Sequence, residues 1–95
     1  MPQWDERKRA SNLRKHGWDF AQVEKFDFET AYVCPDESDD HEEFRQAAIG
    51  FVGVTLCFLV YVEQEDDIRV VSLRRATKRE IGAYNDYARS MARGS

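Results

Sequence analysis

The chain has 95 residues, 14 Lys and Arg against 18 Asp and Glu, and a net charge of −4. That length makes one domain with one modest core, and it leaves no room for a multi-domain enzyme or a large cofactor cavity. A hydrophobic share of 42% excludes a chain disordered by composition, while the acidic balance argues at first sight against nucleic acid as a partner.

In chain order, Asp5 reads as an N-cap whose carboxylate accepts the exposed N–H groups of the next turn. A helix is predicted from about Glu6 to Lys15, ended by Gly17 in the left-handed conformation. Its apolar stripe is only Ala10 and Leu13, so it is a surface helix, and Lys8, Asn12 and Lys15 share one face. Asp19 and Gln22 form a capping box that opens a second short helix, with Trp18 packing on Val23 as a hydrophobic staple. Residues 36–43 hold six acids and read as a solvated loop; neither their spacing nor a glycine at the sixth position fits a calcium loop. Three strands are predicted: Phe44 to Phe51, Val54 to Val62 and Ile68 to Arg75. The second is apolar throughout and reads as a central strand buried on both faces. Gly53 suits the tight turn before it. Strict alternation in the third puts Ile68, Val70, Ser72 and Arg74 on one face and Arg69, Val71, Leu73 and Arg75 on the other. Thr77 and Glu80 spell a capping box for a last helix with a core-facing stripe of Ile81, Tyr84, Ala88 and Met91. The architecture is α+β: an antiparallel sheet of three to four strands packed against N-terminal helices and a C-terminal helix, in a single domain over 1–95.

Charge is segmental. Residues 1–25 sum to +2, residues 26–67 to −11 and residues 68–95 to +5. An acidic centre between two basic ends reopens nucleic acid as a partner. The first basic constellation is Lys8, Asn12, Lys15 and His16 around one exposed helix, suited to a phosphate and its proton traffic, or else a plain solvated face. The second is Arg69, Arg74, Arg75, Lys78 and Arg79. Arg74 and Arg75 sit beside the positive end of the last helix, and the run either marks an anion site or pairs with the acidic loop. Arg45 is the one base in residues 26–67, serving as a salt bridge or as a charge aimed at the site. Met1 to Lys15 lacks an apolar signal-peptide core. The longest apolar run is too short to span a membrane. Cys34 and Cys57 have no metal-ligand spacing around them, and Cys57 reads as a buried free thiol. A reduced, cytoplasmic protein with no metal, cofactor or membrane association is expected. No P-loop, dinucleotide fingerprint or hydrolase elbow is present.

Trp4-Asp5-x-x-Lys8, Asn12, Lys15-His16-Gly17 and Phe20 resemble the opening of the BrnT toxins. The likeness continues through Arg45 and Gly50 to Arg69-Val70-Val71-Ser72-Leu73-Arg74-Arg75-Ala76-Thr77, Glu80 and Tyr84, about Trp4 to Tyr87. It departs over Glu24 to Asp40 and at Leu73, where that family usually has Ala. The resemblance implies a RelE-like fold and a type II toxin that cleaves RNA and arrests translation. It also implies neutralisation in a hetero-oligomer by a BrnA-like ribbon-helix-helix antitoxin, through which alone DNA is contacted. Metal-free RNA cleavage needs a base for the 2′-OH, cations for the phosphorane and an acid for the 5′-oxygen. The candidate catalytic residues are Lys8, His16, Arg45 and Arg74: the two arginines for the charge, Lys8 and His16 for proton transfer and phosphate contact. Lys15, Arg69 and Arg75 are the candidate substrate-binding residues. A non-catalytic binding module and a ParE-like toxin acting on gyrase remain the alternatives of the same fold.

Overall fold

A computed structural model describes residues 2–35 and 44–94. The predicted acidic loop at 36–43 lies outside the described residues. Five strands and two α-helices follow one another as β1 (Gln3–Trp4), α1 (Glu6–His16), a 3-10 helix (Phe20–Lys25), β2 (Tyr32–Pro35), β3 (Gln46–Val52), β4 (Thr55–Glu63), β5 (Ile68–Arg75) and α2 (Lys78–Arg93). The sheet order is β1-β5-β4-β3-β2, antiparallel except for the parallel β1–β5 pair. The mixed α+β class is as predicted. The sheet has five strands rather than three or four, because β1 and β2 are short edge strands whose formation rests on pairing with β5 and β3, not on a pattern of their own.

The local signals explain the boundaries. Asp5 caps α1 by accepting from the Arg7 N–H, and Gly17 ends it at φ 73° with its own N–H donating to the Leu13 carbonyl. The Asp19–Gln22 capping box opens the 3-10 helix, and the Thr77–Glu80 box opens α2. Gly53, at φ 63°, makes the β3–β4 turn.

One face of the sheet carries the main core. Phe20, Val23 and Phe26 pack there against Ala48, Val52, Cys57, Leu59, Tyr61, Val70 and Leu73, with Trp4 and Trp18 closing its rim. Full burial of a Leu or Phe side chain contributes about 1.5–3 kcal/mol, so Phe20, Leu59 and Leu73, all fully buried, anchor this side. Gly50 is part of its packing: a Cβ there would sit 2.7 Å from the Phe26 ring and 3.0 Å from Ala31. The opposite face is covered less completely. Ile49, Ala76 and Tyr84 form a smaller cluster with Tyr32, Phe51, Leu56 and Phe58. β4 is therefore central, as predicted, but fully buried on one face only; Leu56, Phe58, Val60 and Val62 are half-buried. In α2 the predicted stripe is buried at Tyr84 alone, while Met91 is 59% exposed.

Strict alternation in β5 fails. Val70 pairs with Tyr61 and Ser72 with Val60, leaving Val71 as an extra, unpaired residue. This bulge reverses the pleat beyond it. Val70 and Leu73 both reach the main core at 0% exposure, whereas Ser72 and Arg74 pair with Val60 and Phe58 and share the half-covered face.

Candidate functional site

A cleft of about 300 Å³ opens where α1 flanks the bulge of β5. α1 contributes Lys8, Ser11, Asn12, Lys15 and His16, β5 contributes Val71 and Ser72, and the residue just before β3, Arg45, completes the lining. The α1 positions are one helical face, since residues three and four apart stack on the same side. The bulge turns Ser72 towards this face, and it carries a hydroxyl to the lining.

Two contacts fix α1 in place. Arg9 makes a paired hydrogen bond to Asp19 at 2.8 Å through both Nε and Nη2, and a further one to Glu6 at 3.1 Å. The Arg9 guanidinium, followed by the Ala21 N–H, holds the Asp19 carboxyl down at about 2. The second contact is Asn12, the buried polar side chain of the described residues. It bonds the backbone of Leu73 and the carbonyl of Trp18.

Among the described residues, the lining carries two ammonium groups, one guanidinium, one imidazole and two hydroxyls, and no carboxylate. Among the described residues there is no group of three His, Cys, Asp or Glu side chains placed to hold a metal ion. Three permanent cations converge on the cleft, a lining whose charge suits an anion, and the serine hydroxyls add neutral hydrogen-bonding groups.

Four of the seven predicted site residues, Lys8, Lys15, His16 and Arg45, meet in the cleft. Arg74 does not line it. Its Nη1 and Nη2 donate to Glu80 Oε1 and Oε2 at 2.7 and 2.8 Å, and its guanidinium carbon lies 4.4 Å from the centre of the Phe58 ring. Burial pushes the Glu80 carboxyl up, but the Arg74 and Thr77 hydrogen bonds outweigh it and bring the group below its ordinary value. The Glu80 bonds correspondingly hold Arg74 above its own. Arg74 thus joins the end of β5 to the first turn of α2. Arg75 stands opposite Cys57 in the register, on the other face of the sheet. Its charge opposes the effect of burial, which raises the Cys57 thiol to about 11. Arg69 is half-buried where β5 meets β1. Neither lines the cleft. Ser11 and Ser72, absent from the sequence-based set, do. Ser11 was legible as the i+3 neighbour of Lys8, but Ser72 needed the bulge.

Among the described residues no helix is long and apolar enough to cross a membrane. Two comparisons with known proteins bear on the chain. The family model of the ribonuclease toxin BrnT, of type II toxin–antitoxin systems, matches residues 4–80. Among curated proteins, none matches.

Proposed function

The chain belongs to the BrnT family of ribonuclease toxins of type II toxin–antitoxin systems, and from that premise we propose that the α1–β5 cleft is where it cuts RNA, without a metal ion. Membership of a type II system implies an antitoxin partner. In our reading that partner is a BrnA-like ribbon-helix-helix protein, which forms a hetero-oligomer with this chain and carries its DNA contacts. The toxin acts in the cytoplasm, and RNA cleavage there inhibits translation.

The observation that carries the reading is the meeting of Lys8, Lys15, His16 and Arg45 in one cleft. In the proposed reaction the ribose 2′-OH attacks the adjacent phosphorus. A P–O2′ bond forms, the P–O5′ bond breaks, and the products are a 2′,3′-cyclic phosphate and a 5′-hydroxyl. The phosphorane gains negative charge, which the Arg45 guanidinium can meet with two parallel donors. Lys8 and Lys15 hold the non-bridging and flanking phosphate oxygens. The His16 imidazole has one nitrogen that can accept a proton and one that can donate. It accepts the 2′-OH proton or delivers one to the 5′-oxygen, and Lys8 is positioned on the same helix face as the second proton carrier. The Ser72 hydroxyl, whose hydrogen points to Asn12 Oδ1 at 3.5 Å, borders the same phosphate site. We assign Arg74 to joining β5 with α2; Arg69 and Arg75 lie outside the cleft.

The test is incubation of the purified protein with single-stranded RNA in excess EDTA. Cleavage that persists and leaves cyclic phosphate ends is expected. Loss of cleavage on chelation, restored by a divalent metal, overturns the metal-free mechanism. Intact RNA together with gyrase-dependent DNA breaks in cells points to the gyrase-directed alternative.

A further inference from the structure

Asn12 stands out because the buried polar side chains of the described residues reduce to it alone, at 6% exposure. Its amide is saturated. Nδ2 donates to the Leu73 carbonyl at 2.7 Å and to the Trp18 carbonyl at 2.9 Å. Oδ1 accepts from the Leu73 N–H at 3.1 Å and lies 3.5 Å from the Ser72 hydroxyl. Both hydrogens and both acceptor positions are used. The pattern also fixes the amide orientation, since a flipped amide would set its NH₂ against the Leu73 N–H and its oxygen against two carbonyls.

The backbone explains why an amide is required here. β1 pairs with β5 only at Arg69 and Val70, so the edge of β5 loses its strand partner before Leu73. Asn12 supplies what the missing strand residue would: an acceptor for the Leu73 N–H and a donor for its carbonyl. It does so from the middle of the cleft-lining face of α1. Lys8 lies four residues before it, and Lys15 and His16 three and four after it. An apolar side chain would bury equally well but would leave the helix free to slide along the strand or turn about its axis. The amide fixes both movements, and its bond to Trp18 ties in the chain as it leaves α1.

We propose that Asn12 is a positioning residue: it holds α1 against the β5 bulge so that Lys8, Lys15 and His16 face the same phosphate as Ser72 and Arg45. The inference rests on the cleft being the RNA site. Displacing catalytic groups by about 1 Å costs on the order of 100-fold in rate, whereas phosphate binding by long lysine side chains tolerates such a shift.

The test is a split of kcat and KM for RNA cleavage in Asn12→Asp and Asn12→Ser, below the melting midpoint of each. Asn12→Asp keeps the shape and the acceptor but loses both donors; Asn12→Ser leaves room for a bridging water. Both are expected to lower kcat by about 10- to 100-fold with KM within about threefold of the wild type. A purely structural role would leave both constants unchanged in the folded fraction, and that result overturns the proposal. So does failure of both variants to fold, which makes Asn12 a residue of the fold alone. Arg45→Ala, assayed alongside, separates the two readings. If it cleaves like the wild type, the cleft is not the site. If it is inactive while folded Asn12→Asp and Asn12→Ser are fully active, the cleft stands and the positioning role falls.

Discussion

The salt dependence of RNA binding measures how many charges the site presents. Each phosphate neutralised on a single strand contributes about −0.7 to the slope of log affinity against log salt. The cleft holds three permanent cations, Lys8, Lys15 and Arg45. Three contacts give a slope of about −2, or a loss of affinity of roughly 20-fold between about 50 and 200 mM salt. Removing one contact by Lys15→Ala lowers the slope to about −1.4 and the loss to roughly 7-fold. The assay is fluorescence anisotropy with an oligonucleotide fully 2′-O-methylated, which lacks the attacking hydroxyl and stays intact. A slope of about −4 or steeper would mean that Arg69, Arg74, Arg75 or the bases of α2 bind phosphate as strongly as the cleft, and would refute a site confined to it. So would a Lys15→Ala slope equal to that of the wild type.

Other expectations concern the scaffold. Arg74→Ala removes the bonds to Glu80 and the stacking on Phe58. It should destabilise the fold by about 2–3 kcal/mol, read as a lower urea midpoint, while kcat falls far less than in Arg45→Ala; an undiminished midpoint with lost activity would return Arg74 to the catalytic set. Asp19 is held at about 2 against an ordinary 3.8, so its contribution to stability is present above that ordinary value and is lost as the pH falls through about 2. Asn at this position should therefore cost stability at neutral pH, with the gap from wild type closing on acidification; a gap that stays constant with pH would contradict the assignment. Gly50→Ala drives a methyl group into the Phe26 ring and should cost about 1–3 kcal/mol by overpacking, visible as a lower melting temperature; an unchanged melting temperature would show that the ring can move aside.

What was legible in the sequence was what local chemistry decides. Asp5, Gly17, Asp19 with Gln22 and Thr77 with Glu80 each mark an element end through a bond made within a few residues, and all appear in the structure as read. The basic face of α1 followed from helical spacing. What escaped depends on partners distant in the chain. β1 is a strand only because β5 lies beside it. The bulge at Val71 hides in Val70-Val71, where either residue suits the core, and it reversed the expected faces of Ser72, Leu73, Arg74 and Arg75. Glu80 was read as a cap; in the structure Oε1 accepts from both the Thr77 N–H and Arg74, and Oε2 accepts from Arg74 again. That double use ties Arg74 into the corner where β5 meets α2. The net charge of −4 does not describe the cleft, where Lys8, Lys15 and Arg45 come together.

The most direct test of the cleft as the RNA-cleaving site is the single-turnover rate of RNA cleavage, in EDTA, for the wild type, Arg45→Ala and Arg74→Ala. A wild-type rate unaffected by chelation is expected, with a loss of about 100- to 1000-fold in Arg45→Ala and near wild-type cleavage by folded Arg74→Ala. Full activity in Arg45→Ala with abolished activity in folded Arg74→Ala would contradict the cleft as the site and place the chemistry at the β5–α2 corner instead.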